Sequence, residues 1–396
     1  MDTNIGAKER VTQNRLIGLF KNVLKYTYLG NWETREDNAN IEEKLLTAYL
    51  SRRGYTDKEI RSSIVKLKQS ANSLGGGLYN ANKEVYTFLR YGVNIQAEVT
   101  EKKKMVHLID WANPMENDFQ IAEEVTIQGA SDRRPDLVVY VNGIALAVIE
   151  LKRSTVSAHE GIRQNIRNQQ DGYIPRFFTT IQLLFAGNDT EGLHYGVIKT
   201  PEKFWLRWKE PCGEPCQPSH FTAKEYPNEL DRSVLQFFEP VRLLEYIHDF
   251  IIFDGGIKKT ARPNQYFAVK AAQPRVRKKQ NGIIWHSQGS GKSLTMVWLA
   301  QWIRENVSDA RVVIITDRDE LDKQIESGFK DVGEQIQRAK SGGKLIEMLN
   351  AAEPWLICTL IHKFGNKNDS DAISVGNKKA SKSVSYTHLR AHETTL

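Results

Sequence analysis

The sequence predicts a two-part α/β protein, and three observations carry that expectation. Two apolar runs, LVVYV and IALAVIEL, flank Asn142-Gly143 and have charged residues at their far ends. From residue 282 onward strand-like and helix-like segments alternate, the pattern of a parallel sheet with crossover helices. Between the two, residues 255–281 hold eight Lys/Arg and no Asp or Glu, which reads as a basic linker over 254–281.

Length and composition bound the function classes. At 396 residues the chain exceeds one ordinary domain, given about 150 residues per domain. Hydrophobic residues at 40% and charged residues at 26% exclude wholesale disorder. The net charge, 55 − 48 = +7, leans toward a polyanionic partner. No apolar run approaches the ~18 residues of a membrane span, and MDTNIGAKER lacks the apolar core of a secretory signal. Three cysteines make no disulfide framework, so a cytoplasmic setting without membrane contact is expected.

The first domain is expected over residues 1–253. Helical spacing runs through Leu16, Leu19, Phe20, Val23 and Leu24, and again through Ile41, Leu45, Leu46, Tyr49 and Leu50, with Asn40 as the candidate cap. Gly75, Gly76 and Gly77 interrupt the pattern. Strands dominate from Gly92 to Leu184, with one polar helix near 157–171. A Pro-rich loop at 211–218 precedes a helical run, RSVLQFFEPVRLLEYIHDFIIF. Cys212, Cys216 and His220 are evenly spaced but lack a fourth zinc ligand, so free thiols in a loop are expected.

The chemistry of this domain lies in residues 133–153, RRPDLVVYVNGIALAVIELKR. Asp136 starts the first strand. Glu150 and Lys152 end the second, on one face because they are two apart. Two carboxylates give Mg²⁺ hard oxygen ligands and leave positions for water and phosphate. Lys152 can hold the attacking water and offset charge developing on phosphate. This is the PD…(D/E)xK arrangement of metal-dependent nucleases. Asp136, Glu150 and Lys152 are therefore the candidate catalytic residues, with Asp136 and Glu150 as metal ligands. The alternative is a solvated hairpin with ordinary charged ends; an acid closing a buried strand argues against it.

Strand pairing adds a condition. A two-residue loop at Asn142-Gly143 makes paired numbers sum to 285 and turns Asp136 away from Glu150. A three-residue loop, Val141-Asn142-Gly143, pairs Tyr140 with Ile144 and puts Asp136, Glu150 and Lys152 on one face. The three-residue loop is expected, with Gly143 left-handed in a bulge.

In the second part, GIIWH reads as a buried strand and SLTMVWLAQWIREN as a helix, with Gln288-Gly289-Ser290-Gly291-Lys292-Ser293 between them. ARVVIITD, RDELDKQIESGF and WLICTLI continue the alternation. Small residues let backbone N–H groups close on phosphates at a helix N-terminus. Lys292 reaches the β/γ-phosphates and the Ser293 hydroxyl binds Mg²⁺. Gly289, Ser290, Gly291, Lys292 and Ser293 are thus candidate ATP-binding residues; a glycine-rich turn capping a helix is the alternative. Upstream, the Gln265 amide is suited to reading adenine, or is an exposed polar group. Thr316-Asp317-Arg318 ends a strand where ligands of such folds bind, unless Asp317 only caps the next helix. Trp285, Trp298 and Trp302 are expected in the core.

A metal-nuclease core followed by a P-loop motor resembles the R (restriction and translocation) subunit of type I restriction-modification enzymes. The resemblance covers roughly residues 10–370 and is carried by SDRRPDLVVYVNGIALAVIELKRS, EGIRQNIRNQQ, FFTTIQLLFAGNDTEGLHYGVIKTPEKFWLRWKE, ARPNQYFAVKAA, IIWHSQGSGKSLTM and VVIITDRDELDKQI. It implies a PD-(D/E)xK nuclease-like domain, then a partial RecA-like lobe of helicase superfamily two over 282–375. It implies an ATP-dependent endonuclease and translocase acting on double-stranded DNA. Its partners would be methyltransferase (M) and specificity (S) subunits, with S-adenosylmethionine belonging to those partners. Gln265 would lie in the adenine-reading motif, and Lys292 and Ser293 in the phosphate motif. The family also carries histidine at the position of His286. Many members have a Gln-x-x-x-Tyr motif after the nuclease strands. Here Gln164 is followed four places on by Asn168, and both stay outside the catalytic set. A third carboxylate from the first helices, Glu42 or Glu43, stays open.

The chain departs from the family after the third motor strand. No Asp-Glu-x-His run follows, and residues 376–396, ending SVSYTHLRAHETTL, read as a non-native tail. ATP turnover by this chain alone is not expected. Two other readings stay open. One is a nuclease–helicase of DNA repair, separable by co-purification with a methyltransferase. The other is a non-catalytic remnant binding DNA and nucleotide, separable by an Mg²⁺-dependent nicking assay.

Overall fold

The computed structural model describes residues 9–96, 103–211 and 219–364, and the backbone of 385–388. Cys212 and Cys216, and the tail expected over 376–396 apart from the backbone of 385–388, lie outside the described residues. The chain divides into two units, the first ending near Thr260 and the second holding nearly everything from Ala261 on. Each carries its own sheet. Among the described residues, no helix is long and apolar enough to cross a membrane.

The first unit opens with α1 (Glu9–Asn22), β1 (Thr27–Asn31), α2 (Glu43–Arg52), α3 (Asp57–Asn72) and α4 (Gly77–Tyr91). A small antiparallel pair follows, β2 (Val93–Ile95) and β3 (Lys104–Val106). Then come β4 (Phe119–Glu123), β5 (Leu137–Val141), β6 (Ile144–Leu151), α5 (Ala158–Asn168), β7 (Leu183–Asn188), β8 (Gly192–Gly196) and β9 (Leu206–Arg207). Helices α6 (Glu229–Phe238) and α7 (Pro240–Asp249) complete it. The sheet order is β1-β4-β5-β6-β7-β8-β9. It is mixed: β1/β4 and β6/β7 are parallel, the other pairs antiparallel.

Every residue of β5 and β6 is buried, as continuous apolar runs require when both faces of a sheet are covered. On one face Val138, Tyr140, Val148 and Leu184 pack with Ile162 of α5 and with Phe178. On the other, Phe185 and Tyr195 meet Phe237, Phe238 and Tyr246 edge-on or tilted, ring centroids 4.6–6.0 Å apart. The helical run read from 232–253 divides at Pro240, which starts α7 at the position where a missing N–H costs least.

Asn40 does not cap α2. Its amide donates to the carbonyls of Arg176 and Phe177 and to the Thr179 hydroxyl. The helix starts two residues later than that cap requires, at Glu43, because Glu42 N–H bonds instead to the Gly143 carbonyl.

The segment expected as a basic linker is ordered. A hairpin, β10 (Ile251–Asp254) and β11 (Ile257–Thr260), is followed by α8 (Pro263–Arg277). The second unit continues with α9 (Lys292–Asn306), β12 (Val312–Thr316), α10 (Asp319–Asp331), β13 (Ile336–Arg338), α11 (Gly342–Asn350), β14 (Leu356–Leu360) and β15 (Ser385–His388). Its sheet is parallel, in the order β13-β14-β12-β15.

GIIWH, expected as a buried strand, pairs with nothing among the described residues. Ile283 is 91% and Trp285 84% exposed, whereas Trp298 and Trp302 are buried as expected. β12 has β14 on one edge and β15 on the other, and 282–286 joins no ladder among the described residues; apolarity alone cannot bury a strand.

Candidate active site

The hairpin that carries the acids closes with two residues, not three. Asn142 (φ 54) and Gly143 (φ 80) are both left-handed, the twist-matched turn for antiparallel strands. Val141 pairs with Ile144 and Tyr140 with Ala145, so paired numbers sum to 285. The register then slips by one: Val139 pairs with Ala147, and the sum becomes 286 down to Leu137 and Ile149. Leu146 is the extra residue of this β-bulge, and its carbonyl serves Gln182 N–H at 2.7 Å instead. Continued by one pair, the new register sets Asp136 opposite Glu150. The expected common face is therefore reached by a bulge within β6, while Gly143 has the expected left-handed backbone.

Lys152 stands at the same edge. Its Nζ lies 4.0 Å from Asp136 Oδ2 and 3.1 Å from Glu9 Oε1, and donates to the Leu151 carbonyl. Leu151 N–H donates to Asp136 Oδ2 at 2.6 Å, tying the two strand ends together. The acid added from the first helices is Glu9 on α1, not Glu42 or Glu43. Glu42 pairs with Arg35 beside the hairpin turn, and Glu43 with Lys68. The turn and Asp136 lie at opposite ends of β5, roughly 17 Å of strand apart. Nothing in the spacing of the sequence points to Glu9, because only the fold brings α1 over this edge.

Gln164, set aside on sequence, touches the site. Its amide donates to Glu150 Oε2 at 2.7 Å, from the second turn of α5. Asn168, one turn further on, is fully buried and reaches neither acid among the bonds described. Gly161 allows α5 this close approach: a Cβ there would lie 3.1 Å from Ala186 Cβ and 3.3 Å from the Glu150 carbonyl oxygen.

The electrostatics suit a cation. Burial pushes the Asp136 carboxyl up to about 6, against Lys152 and the Leu151 N–H, which pull it down, and with Glu9 and Glu124, which push it further up. Burial, then the charge of Asp136, raises Glu150 well above the ordinary carboxylate range. Burial opposes the charge on Lys152, but Asp136, Glu150 and Glu9 together outweigh it and raise the ammonium. Glu150 Oε1 is buried with no hydrogen-bond donor. Two acids so placed call for a shared proton or a shared cation. The donor set, two buried carboxylates with one orphaned oxygen, fits a hard divalent ion.

In the second unit, Gly291 (φ 86) caps α9 and Gly289 (φ 75) is also left-handed. Lys292 begins the helix, and its Nζ turns back to the Ser287 carbonyl at 3.2 Å. Ser290 Oγ donates to the same carbonyl at 2.7 Å; Ser293 follows in the first turn of α9. Gln265 is buried on α8, and both ends of its amide meet main chain. Nε2 donates to the Gly291 carbonyl and Oε1 accepts from Arg262 N–H, each at 2.8 Å. Arg262 also donates to the Gly289 carbonyl at 3.3 Å. The structure therefore brings Gln265 to the loop itself. Thr316 and Asp322 lie within 3.4 Å, with Arg338 on the other oxygen of Asp322, a buried brace between β12, α10 and β13.

Comparison with known proteins gives two family matches and a set of relatives that share one description. Residues 7–203 match the model of the type I restriction enzyme R protein N terminus. Residues 264–392 match the SWI2/SNF2 ATPase model. A putative type I restriction enzyme MjaIXP endonuclease subunit from Methanocaldococcus jannaschii is 27% identical over 92% of this chain and 38% of its own length. The type I restriction enzyme SsaAORF53P endonuclease subunit from Staphylococcus saprophyticus is 26% identical over 72% of this chain and 30% of its own length. A second Methanocaldococcus relative, putative MjaVIIP, is 29% identical over 67% of this chain and 26% of its own length. The chain thus spans less than two-fifths of the length of these relatives. These likenesses support an R subunit of the type I restriction enzymes, and this chain matches the N-terminal region of that subunit.

Proposed function

We propose that this chain is the nuclease-bearing part of an ATP-dependent restriction subunit that cuts double-stranded DNA. The first unit is read as a PD-(D/E)xK nuclease domain and the second as a partial RecA-like motor lobe. The observation that carries the nuclease reading is the register that sets Asp136 across from Glu150 with Lys152 beside them. Asp136 and Glu150 would hold Mg²⁺, which supplies a Lewis acid for the phosphodiester oxygens and the attacking water. Lys152 places a positive charge where negative charge grows on the phosphate during in-line attack. Glu9 keeps that ammonium over the site, and the Leu151 N–H and Gln164 amide fix one oxygen of each acid. ATP would lie on the 289–293 loop, with Ser293 toward its Mg²⁺. Methyltransferase and specificity subunits would supply sequence recognition, with S-adenosylmethionine bound there.

The test is nicking of supercoiled plasmid by the 396-residue chain in Mg²⁺. Asp136→Asn and Lys152→Ala are each expected to lower the rate by at least ~100-fold, the scale of losing transition-state charge stabilisation, with DNA binding retained. Nicking that survives Asp136→Asn sinks the assignment.

A further inference from the structure

Two arginines border the Asp136–Glu150 edge, and the Glu124 carboxylate bridges them, while each also has a second acid: Glu123 for Arg10 and Glu33 for Arg134. Glu124 follows the last residue of β4, and its N–H bonds to the carbonyl of Asp136 itself at 2.9 Å. Arg10 Nη1 lies 3.2 Å from Glu124 Oε1, and Arg134 Nε lies 2.9 Å from Glu124 Oε2. Arg10 is the neighbour of Glu9, the residue paired with Lys152. Arg134 is two residues before Asp136. Consecutive residues of α1 thus reach to either side of the candidate catalytic edge.

The arrangement is not that of a buried structural bridge. Each arginine side chain is 47% exposed, so each can change partner without being pulled from a core. Glu124 sits at φ 51, a left-handed backbone that a glutamate seldom adopts and that concentrates at functional positions. Its neighbour Glu123 has the contrasting role. That side chain is buried and accepts from Gln13, Tyr28 and Arg10, which anchors α1 whatever Glu124 does. A carboxylate receiving one guanidinium on each oxygen presents the same pattern as a phosphate between two arginines.

We propose that Arg10 and Arg134 form a clamp for a backbone phosphate of the DNA strand entering the Asp136–Glu150 edge, and that Glu124 fills this clamp while DNA is away. This rests on the nuclease reading above. On binding, a phosphodiester displaces the Glu124 carboxylate, and the two arginines position the strand over the acids. The contact carries no sequence information, as suits a backbone clamp.

The experiment is equilibrium binding of a fluorescent DNA duplex to the whole chain, titrated with salt in Ca²⁺. Arg10→Ala and Arg134→Ala are each expected to weaken binding about 5–20-fold and to lower the log–log salt slope by about one, the value for one phosphate contact. Glu124→Gln is expected to tighten binding about threefold or more. Arg163→Ala, an exposed arginine on α5, serves as the control with unchanged slope. Gln replacements at Arg10 and Arg134 keep a hydrogen-bond donor to Glu124 and carry the test if alanine prevents folding. A double Arg10/Arg134 variant with wild-type affinity and slope overturns the clamp, as does a wild type that binds no DNA. A Glu124→Gln chain that binds no tighter overturns the role of Glu124. Because binding is read apart from cleavage, failure of the nuclease reading shows separately, as nicking indifferent to Asp136→Asn.

Discussion

Asp136 stands across from Glu150 because Leu146 is an unpaired residue in β6. Without the bulge, the two-residue turn would set Asp136 opposite the residue before Glu150, on a register that sends the two acids to different faces. The site is thus built by two corrections to an ideal hairpin: a tight left-handed turn and, two pairs along, a slip that restores the common face.

That pairing has a pH signature. The folded-state pKa of Asp136 is raised from 3.8 to about 6, and that of Glu150 is also raised, both first by burial. A raised carboxyl means the folded chain binds more protons than the unfolded chain between the two values, so stability falls as pH climbs from about 4 through 6. A shift of about two units corresponds to on the order of 2–3 kcal/mol. Asp136→Asn is therefore expected to raise the melting temperature at pH 8 and to change it little at pH 4. Adding Mg²⁺ should raise the melting temperature of the wild type at pH 8 and not that of the variant. Thermal melts across pH with and without EDTA measure both; a variant less stable than wild type at pH 8 contradicts the account.

Gly143 should tolerate no side chain. Its φ is +80, and a Cβ would lie 2.7 Å from Leu45 Cβ and 2.8 Å from the Glu42 carbonyl oxygen. Left-handed strain and overpacking together put Gly143→Ala at roughly 2–4 kcal/mol of destabilisation. Urea unfolding should show a lower midpoint with an unchanged slope. A midpoint equal to wild type would mean that α2 does not press on the turn.

Gln164 should act on the acidity of Glu150 as well as on its position. Its amide is the hydrogen bond to Oε2, while Oε1 has none. A donor to a carboxylate favours the charged form. Gln164→Ala should therefore move the acid limb of the Mg²⁺-dependent rate profile to higher pH, by up to about one unit. Gln164→Glu should move it further, because it places a third acid at the pair. A lower rate with an unmoved profile would reduce Gln164 to a packing role.

How much of this was legible follows from what each feature depends on. The acids, the lysine and the Asn-Gly turn lie within 133–153, and the hairpin brings the acids and the lysine to one edge, while the common face needs the bulge. The route differs from the expected three-residue loop because a bulge leaves no mark in an apolar run: Leu146 looks like any other residue of IALAVIEL. Asn142 read as a turn former, yet its buried amide also donates to Leu108 and Asn117 and accepts from Asp118 N–H, partners set by tertiary contact. Glu9 and Arg10 were invisible for the same reason. GIIWH differs in the other direction, since its sequence describes a buried strand and only the sheet decides whether a partner exists.

The last expected outcome concerns the phosphate loop. Gln265 gives its Nε2 hydrogen to the Gly291 carbonyl and takes the Arg262 N–H on Oε1, so its amide is committed to holding the loop against α8. A latch of this kind should serve any nucleotide, because what it shapes is the bed for the phosphates. Gln265→Ala is expected to weaken ATP and GTP alike by roughly tenfold, the scale of one lost buried hydrogen bond and the group it strands. Gly291→Ala should be harsher. Its φ of +86 strains any side chain, and the new Cβ would fall 2.2 Å from Gln265 Nε2, so the latch must be expelled. Binding of fluorescent ATP and GTP analogues and of tripolyphosphate to the whole chain, with Lys292→Ala as the reference loss, separates the cases. Equal losses for all three ligands in Gln265→Ala support the latch. A loss for ATP alone would mean that the amide leaves Gly291 to read adenine when nucleotide arrives.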